Sequence, residues 1–250
     1  MPIKIITEKC NGCQLCIPSC PYGAIGMEGD KAILFESCVH CGICIDSCPV
    51  SAIVEVSESG SFLEKAARYS NNILVIGETA DNKITKLSRE ILGKAREFSD
   101  IVGAAVWSII FAGDENSAQE AINLGADKVW LLEGKIANLH KTSSLVRLIS
   151  GIIDHNWPNI VFAGETVFGC DVMPRIAQRF NTGLISGCIS LEIDPADKIL
   201  SCARFFYGGR IMGITSCPQQ RPQIVIVKEG IFREGSQYKE RHGVVERIKI

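Results

Sequence analysis

Eight cysteines near the N-terminus form two groups of four with identical internal spacing. The first group, which ends before Pro21, is Cys10, Cys13, Cys16 and Cys20. The second group begins 28 residues after the first, ends before Pro49 and consists of Cys38, Cys41, Cys44 and Cys48. Three thiolates spaced three residues apart on a tight loop can reach three corners of an iron-sulfur cube, whose four irons each take one sulfur ligand. The spacing therefore predicts two 4Fe-4S clusters.

The repeat extends beyond the cysteines. Ala24 and Ile25 follow the first group at the same spacing at which Ala52 and Ile53 follow the second. The segment is therefore typical of an internal duplication, and we expect each half to fold as strand, cluster loop, short helix and strand. About 55 residues bury too little apolar surface to be comfortably stable alone, so bound clusters would also hold the fold together.

Two other uses of eight cysteines are possible. A disulfide scaffold would suit a short secreted chain, but the N-terminus has no apolar stretch of signal-peptide length. Structural zinc sites use separated pairs of cysteines more often than complete groups of four that end in Cys-Pro. His40 lies between two of the cysteines, and we expect an exposed loop side chain there because cysteines already supply all eight iron corners.

With every motif position matched, residues 1–57 resemble a two-cluster bacterial ferredoxin with an α+β, ferredoxin-like fold. In that class the cysteine before proline ligates the other cluster. The resemblance implies that the first cluster is held by Cys10, Cys13, Cys16 and Cys48. The second would be held by Cys38, Cys41, Cys44 and Cys20.

Charge is distributed unevenly along the 250 residues, whose formal net charge is −2. Residues 1–58 contain seven acidic residues and three lysines, which gives −4 and leaves +2 for the remainder. No basic cluster indicates nucleic acid or an anionic membrane, and no apolar run reaches the roughly 18 residues of a membrane span. We therefore expect a cytoplasmic protein with small polar or redox partners.

Residues 58–70 are predicted to be a connector, with a short helix around residues 62–69. Beyond them, continuous apolar runs predict strands at 73–76, 102–111, 128–132 and 160–163. Apolar residues at helical spacing predict helices within 84–98, 118–125, 145–153 and 172–180. This alternation predicts an α/β, doubly wound, mostly parallel sheet in a domain spanning 71–250.

The last part of the domain lacks long helices. Strand-like segments follow one another at 184–193, 199–206, 212–216 and 224–227. Together they predict an antiparallel C-terminal extension of the sheet.

Two glycine-containing loops follow predicted strands, at 77–80 and 164–170. The first lacks the G-x-G-x-x-G pattern, and the second has GxxxxG spacing without the Lys-Ser/Thr of a P-loop. Open α/β sheets bind ligands at this edge, but turn formation explains these glycines at least as well.

Several segments of this domain resemble the N-terminal domain of the alpha subunit of electron-transferring flavoproteins. The similarity covers residues 70–250 and rests on 72–78, 160–166, 169–177, 182–188, 207–209 and 221–227. Cys170 stands where the family commonly has a basic residue. The resemblance implies a partner beta subunit that holds FAD and NADH. It also implies a further FAD in a C-terminal domain that this sequence does not contain, since residues 243–250 fall about where a linker would begin.

The remaining candidate residues carry weaker signals. We expect buried, nonligating thiols at Cys170, Cys188, Cys202 and Cys217. Core or interface positions are expected for Trp107, Trp130 and Trp157. Near Gly208 and Gly209, three side chains could face a flavin or a partner, or be solvated: Arg204, Tyr207 and Arg210. The four histidines form no motif, so we assign no catalytic residue to this chain.

An iron-sulfur domain fused to a flavoprotein subunit indicates an electron relay between a partner-subunit flavin, reduced by NADH, and external ferredoxin. Similar fusions occur in flavin-based electron-bifurcating complexes of anaerobes, with an acyl-CoA or hydroxy-acid dehydrogenase as a further partner. The catalytic flavin chemistry would then lie in partner subunits. The alternative is a ferredoxin fused to a nucleotide-binding α/β domain that acts as a redox sensor.

Overall fold

A computed structural model describes residues 3–35, 37–38, 43–55, 69–111, 114–133, 142–236, 238 and 241–249. The chain divides into two compact units, residues 1–61 and 62–250. The helix predicted around 62–69 lies outside the described residues except for Tyr69.

The N-terminal unit contains two copies of one element order. The first copy is β1 (Ile3–Ile5), α1 (Cys16–Ser19) and β2 (Ile25–Glu28), and the second is β3 (Lys31–Leu34), α2 (Ile43–Asp46) and β4 (Ile53–Glu55). This matches the predicted strand, loop, helix and strand in each half. Antiparallel pairing joins β1 to β4 and β2 to β3, so the two halves enclose one core.

The second unit is built on a large sheet. Its strands in chain order are β5 (Ile73–Gly77), β8 (Val106–Phe111), β9 (Lys128–Glu133), β10 (Ile160–Gly164), β11 (Leu184–Ile193), β12 (Leu200–Phe206), β13 (Ile211–Thr215), β14 (Gln223–Val227) and β15 (Val244–Lys249). A small separate hairpin consists of β6 (Thr79–Ala80) and β7 (Lys83–Ile84). In the described part of the chain the sheet has nine strands, in the order β13-β12-β11-β14-β10-β5-β8-β9-β15.

In the described part of the chain, four helices cover both faces of this sheet, as a doubly wound fold requires. They are α3 (Lys86–Val102), α4 (Glu115–Asn123), α5 (Thr142–Asn156) and α6 (Val167–Arg179). The apolar sides of α3 and α4 belong to one core, and those of α5 and α6 to the other. In β5, Ile73 and Val75 face the first core, while Leu74 and Ile76 face the second. Successive side chains of this strand therefore pack into the cores on opposite faces of the sheet.

The predicted antiparallel extension is correct only in part. The pairs β11–β12 and β12–β13 are antiparallel, but β14 lies inside the sheet, parallel to both β10 and β11. Every residue of β14 is buried. The chain therefore runs to the edge of the sheet in the β12–β13 hairpin and returns to its interior in β14, which explains the continuous apolar run of β14.

Two further boundaries differ from the predictions. The strand predicted to start at Val102 starts at Val106, because helix α3 continues to Val102 and ends at Gly103 in the left-handed conformation, with φ of +66°. Residues 244–249, expected to begin a linker, form β15, which pairs in parallel with β9 at the edge of the sheet.

Candidate iron-sulfur centres and the carboxyl edge of the sheet

One cavity of the N-terminal unit gathers four of the eight predicted ligands. Its lining includes all members of the first crosswise set, namely Cys10, Cys13, Cys16 and Cys48. Cys48 comes from the second half of the repeat and reaches this cavity because β1 and β4 are paired. The remaining lining comes from small and apolar residues together with Asn11 and Gln14.

A second cavity gathers the described members of the other set. Cys20, Cys38 and Cys44 line it, and Cys41 lies outside the described residues. The two cavities are similar in size, about 310 Å3 for the first and 280 Å3 for the second, including space open to solvent. Each half of the repeat thus sends its cysteine before proline into the cavity of the other half.

Backbone amides point at the sulfur atoms in a repeated arrangement. The Ala24 N–H donates to Cys20 Sγ at 3.3 Å, and the Ala52 N–H donates to Cys48 Sγ at 3.2 Å. The Ala32 N–H donates to Cys10 Sγ at 3.5 Å. Such donors stabilise thiolates and the additional negative charge of a reduced cluster.

The thiol groups of the first cavity influence one another. Burial raises the pKa of Cys16, and Cys13, Cys10 and Cys48 raise it further because four neighbouring thiolates repel one another. Hydrogen bonds from the Ala32 and Gly12 amides lower the pKa of Cys10. Iron binds cysteine as the thiolate, so filling this cavity would release the thiol protons.

The donors present fit a 4Fe-4S group. Iron accepts thiolate ligands, the cavity walls are largely apolar, and amide donors face the sulfurs. Among the described residues, no three His, Cys, Asp or Glu side chains converge closely enough to hold a single metal ion. The thiols are instead distributed around a cavity.

The first cluster loop has a constrained backbone. Gly12 has φ of +73°, and a Cβ placed on it would lie 2.5 Å from the Asp30 carbonyl oxygen, so only glycine fits. Gln14 has φ of +62°, although the repeat places Gly42 at the equivalent position. A non-glycine residue in the left-handed backbone region is strained. Gln14 is such a residue, and it lines the first cavity.

The carboxyl edge of the large sheet has an acidic character where strand order reverses, between β5 and β10. Glu78 follows β5, and its Oε1 accepts a hydrogen bond of 2.7 Å from Thr166 Oγ1. Thr166 caps α6 by accepting from the Gly169 N–H at 3.0 Å. Glu165 has a buried Oε2 with no partner among the described residues. Two carboxylates thus lie where open sheets place ligands.

We expect Glu78→Gln to raise the unfolding temperature more at pH 8 than at pH 5. Burial raises the pKa of the Glu78 carboxyl, and the hydrogen bond from Thr166 only partly opposes this. A carboxyl with a raised folded pKa adds stability below its unfolded pKa and loses that stability as pH rises through the folded value. Circular dichroism melts at both pH values measure the difference; an equal gain at each pH would contradict the assignment.

The four cysteines of the second unit differ in how far they are buried. The prediction of buried thiols is confirmed for Cys188 and Cys202, and Cys217 is half-buried. The prediction is wrong for Cys170, which is exposed on the first turn of α6. The hydrogen bond with Cys188, together with burial, raises the pKa of the Cys202 thiol. Trp130 is buried, as expected for a core position.

The turn between β12 and β13 carries the residues that were candidates for a flavin or partner contact. Tyr207 and Arg210 are exposed. Arg204 is half-buried, with its guanidinium 4.8 Å from the centre of the Phe206 ring. The exposure of Tyr207 and Arg210 fits both solvation and contact with another subunit.

Comparison with protein families agrees with this architecture. A model described as a 4Fe-4S dicluster domain matches residues 9–52, so the N-terminal unit is of the ferredoxin class. A model described as an electron transfer flavoprotein domain matches residues 73–250. The chain therefore belongs to the electron transfer flavoprotein family.

Individual relatives are similar to different extents of the chain. An electron transfer flavoprotein subunit alpha of Clostridium acetobutylicum is 31% identical over 163 residues, covering 65% of this chain and 48% of that protein. The lactate dehydrogenase (NAD(+),ferredoxin) subunit LctC of Acetobacterium woodii is 25% identical over 246 residues, covering 98% and 51%.

A third relative, the acryloyl-CoA reductase electron transfer subunit beta of Anaerotignum propionicum, is 25% identical over 186 residues, covering 65% of this chain and 51% of that protein. The chain spans about half the length of the curated relatives it matches. In the described part of the chain, no helix is both long and apolar enough to cross a lipid bilayer.

Proposed function

We propose that this chain is an electron-transfer subunit of a flavoprotein complex. It would relay single electrons between a flavin in a partner subunit, reduced by NADH, and external ferredoxin. The observation that carries the proposal is the similarity to LctC, which covers 98% of the chain and so includes both units. The name of that protein joins NAD+, ferredoxin and a dehydrogenase.

The chemistry of the two carriers explains why both units are needed. NADH delivers two electrons together as hydride to a flavin, whereas each bound 4Fe-4S cluster exchanges one electron at a time. This chain would supply the thiolates that hold the clusters, the amides that stabilise their charge and a scaffold for the partner flavin. The names of the relatives also suggest the class of final partner, a hydroxy-acid or acyl-CoA dehydrogenase, which would make the complex bifurcating.

An exposed apolar surface supports the presence of a partner subunit. On one face of the β12–β13 hairpin, Phe205 lies opposite Met212, and Ile214 lies further along β13. These side chains are 54%, 64% and 76% exposed, respectively. Contiguous exposed apolar residues mark protein interfaces more often than free surfaces. The beta subunit, with its FAD, is the occupant that the family suggests.

The nucleotide-binding alternative has less support. A phosphate would be expected at the N-terminus of α6, beside the switch point of the sheet. That position is taken by Glu78 and Thr166, and Glu165 adds a second carboxylate. Carboxyl side chains at this place, which offer acceptor oxygens, are poor partners for a nucleotide phosphate.

The Cys13→Ala variant distinguishes electron transfer to ferredoxin from the reduction of the partner flavin by NADH. In the complex with its flavoprotein subunit, we expect this variant to lose about tenfold or more of NADH-driven ferredoxin reduction, because one cluster can no longer be held. Reduction of the partner flavin by NADH should remain within about twofold, since no residue of this cavity is assigned to that step. Stopped-flow flavin absorbance and a ferredoxin assay measure the two rates.

The matched control is Cys170→Ala, the same chemical change at an exposed cysteine outside both cavities. It should alter neither rate. If Cys13→Ala slowed both reactions equally while the complex stayed assembled, the relay proposal would fail. A chain that purifies with adenine nucleotide and binds no flavoprotein subunit would favour the sensor instead.

A further inference from the structure

Lys31 lies beside one of the two cavities. It is the first residue of β3, and its Nζ donates a hydrogen bond of 2.6 Å to the carbonyl oxygen of Cys10. The next residue, Ala32, donates its N–H to Cys10 Sγ. Side chain and main chain of β3 thus hold the same cysteine, one through its carbonyl and the other through its sulfur.

The charge of Lys31 is only partly neutralised. Its side chain is 37% exposed, and Asp30, the carboxylate that pairs with it among the described residues, is 87% exposed with Oδ2 at 3.9 Å from Nζ. Solvent screens Asp30 more strongly than the ammonium, whose position is fixed by the Cys10 carbonyl. A net positive potential from Lys31 therefore remains at Cys10.

The repeat has no lysine at the position equivalent to Lys31 beside the other cavity. Subtraction of the 28-residue period places Ile3 at the position equivalent to Lys31. Ile3 is buried and lines the cavity that contains Cys20, Cys38 and Cys44. At equivalent positions of a duplicated fold, an ammonium group thus lies beside one cavity, bonded to the Cys10 carbonyl, and a neutral aliphatic side chain lines the other.

We propose that Lys31 raises the reduction potential of the cluster held by Cys10, Cys13, Cys16 and Cys48, and that it does so selectively. Reduction adds one negative charge, which a nearby fixed positive charge stabilises. The inference rests on the proposed function insofar as it requires both clusters. The cluster beside Lys31 is then the one at which this residue stabilises the added electron.

The test is an EPR-monitored redox titration of the anaerobically prepared full chain, of three variants at positions 30 and 31, and of Cys13→Ala. In Lys31→Gln, we expect the potential of one cluster to fall by about 30 to 60 mV, a roughly threefold to tenfold change in its reduction equilibrium. Lys31→Arg keeps the charge and the donor and should restore the original potential. Asp30→Asn removes the opposing charge and should shift the same cluster upwards, by a smaller amount.

The outcomes separate this inference from the proposed function. The shifted signal should be the one that disappears in Cys13→Ala. Equal shifts of both clusters, or no shift in Lys31→Gln with full iron content, would overturn the inference while leaving the relay intact. If Lys31→Gln loses iron, Asp30→Asn decides, because it keeps Lys31 in place; an unchanged or lower potential there rejects the proposal. Absence of two clusters in the unmodified chain would instead reject the proposed function.

Discussion

Cys48→Ala should remove the same cluster as Cys13→Ala, although 35 residues separate the two cysteines in the chain. Both line one cavity with Cys10 and Cys16, so the loss of either leaves that cavity with three thiolates. Iron analysis of anaerobically prepared protein should fall from about eight atoms per chain to about four. EPR spectra of the two variants should lack the same reduced signal.

The control pair is Cys20→Ala and Cys44→Ala, which share the other cavity. These variants should keep the signal that Cys48→Ala loses and should lose the one that it keeps. A different pairing, in which Cys48→Ala resembles Cys44→Ala, would mean that each group of four binds its own cluster. The crosswise assignment would then be wrong.

Gly169→Ala is expected to destabilise the second unit by about 3 kcal/mol. A Cβ at Gly169 would lie 1.9 Å from the carbonyl oxygen of Gly164, so helix α6 would have to move away from the end of β10. For a unit of this size, the cost corresponds to a fall of roughly 6 to 12 °C in unfolding temperature. Thermal melts followed by circular dichroism measure it.

Gly151→Ala provides the matched control within a neighbouring helix. A Cβ at Gly151, in α5, meets no atom within 4 Å. The substitution should therefore stabilise the protein by about 0.5 to 1 kcal/mol, because alanine favours the helical conformation. If Gly169→Ala were as harmless as Gly151→Ala, the close approach of α6 to β10 would not exist in solution.

Gly164 and Gly169 show how much of the site the sequence alone could predict. The GxxxxG spacing of residues 164–169 resembles part of a phosphate-binding loop, and only the structure shows that Gly169 is needed for helix packing. By contrast, the cysteine spacing predicted two clusters before any contact was known, because cluster chemistry restricts the number and separation of ligands on a loop.

The sheet was predictable where burial was complete and less so at its edges. The run 73–76 predicted β5 because both faces of this central strand are covered. The position of β14 inside the sheet depends on long-range pairing with β10 and β11, which a local apolar pattern does not encode. β15 has exposed Val244 and Val245 followed by two charged residues, so its apolar signal is weak.

The β12–β13 hairpin has a consequence for handling the protein. On its outer side β13 pairs with no strand among the described residues, so its main-chain groups remain open to recruitment by another chain. An open edge flanked by Met212 and Ile214 is a template for aggregation. Solubility of the chain would then depend on whatever covers that edge. Expression of this chain without a partner that covers β13 would favour precipitation.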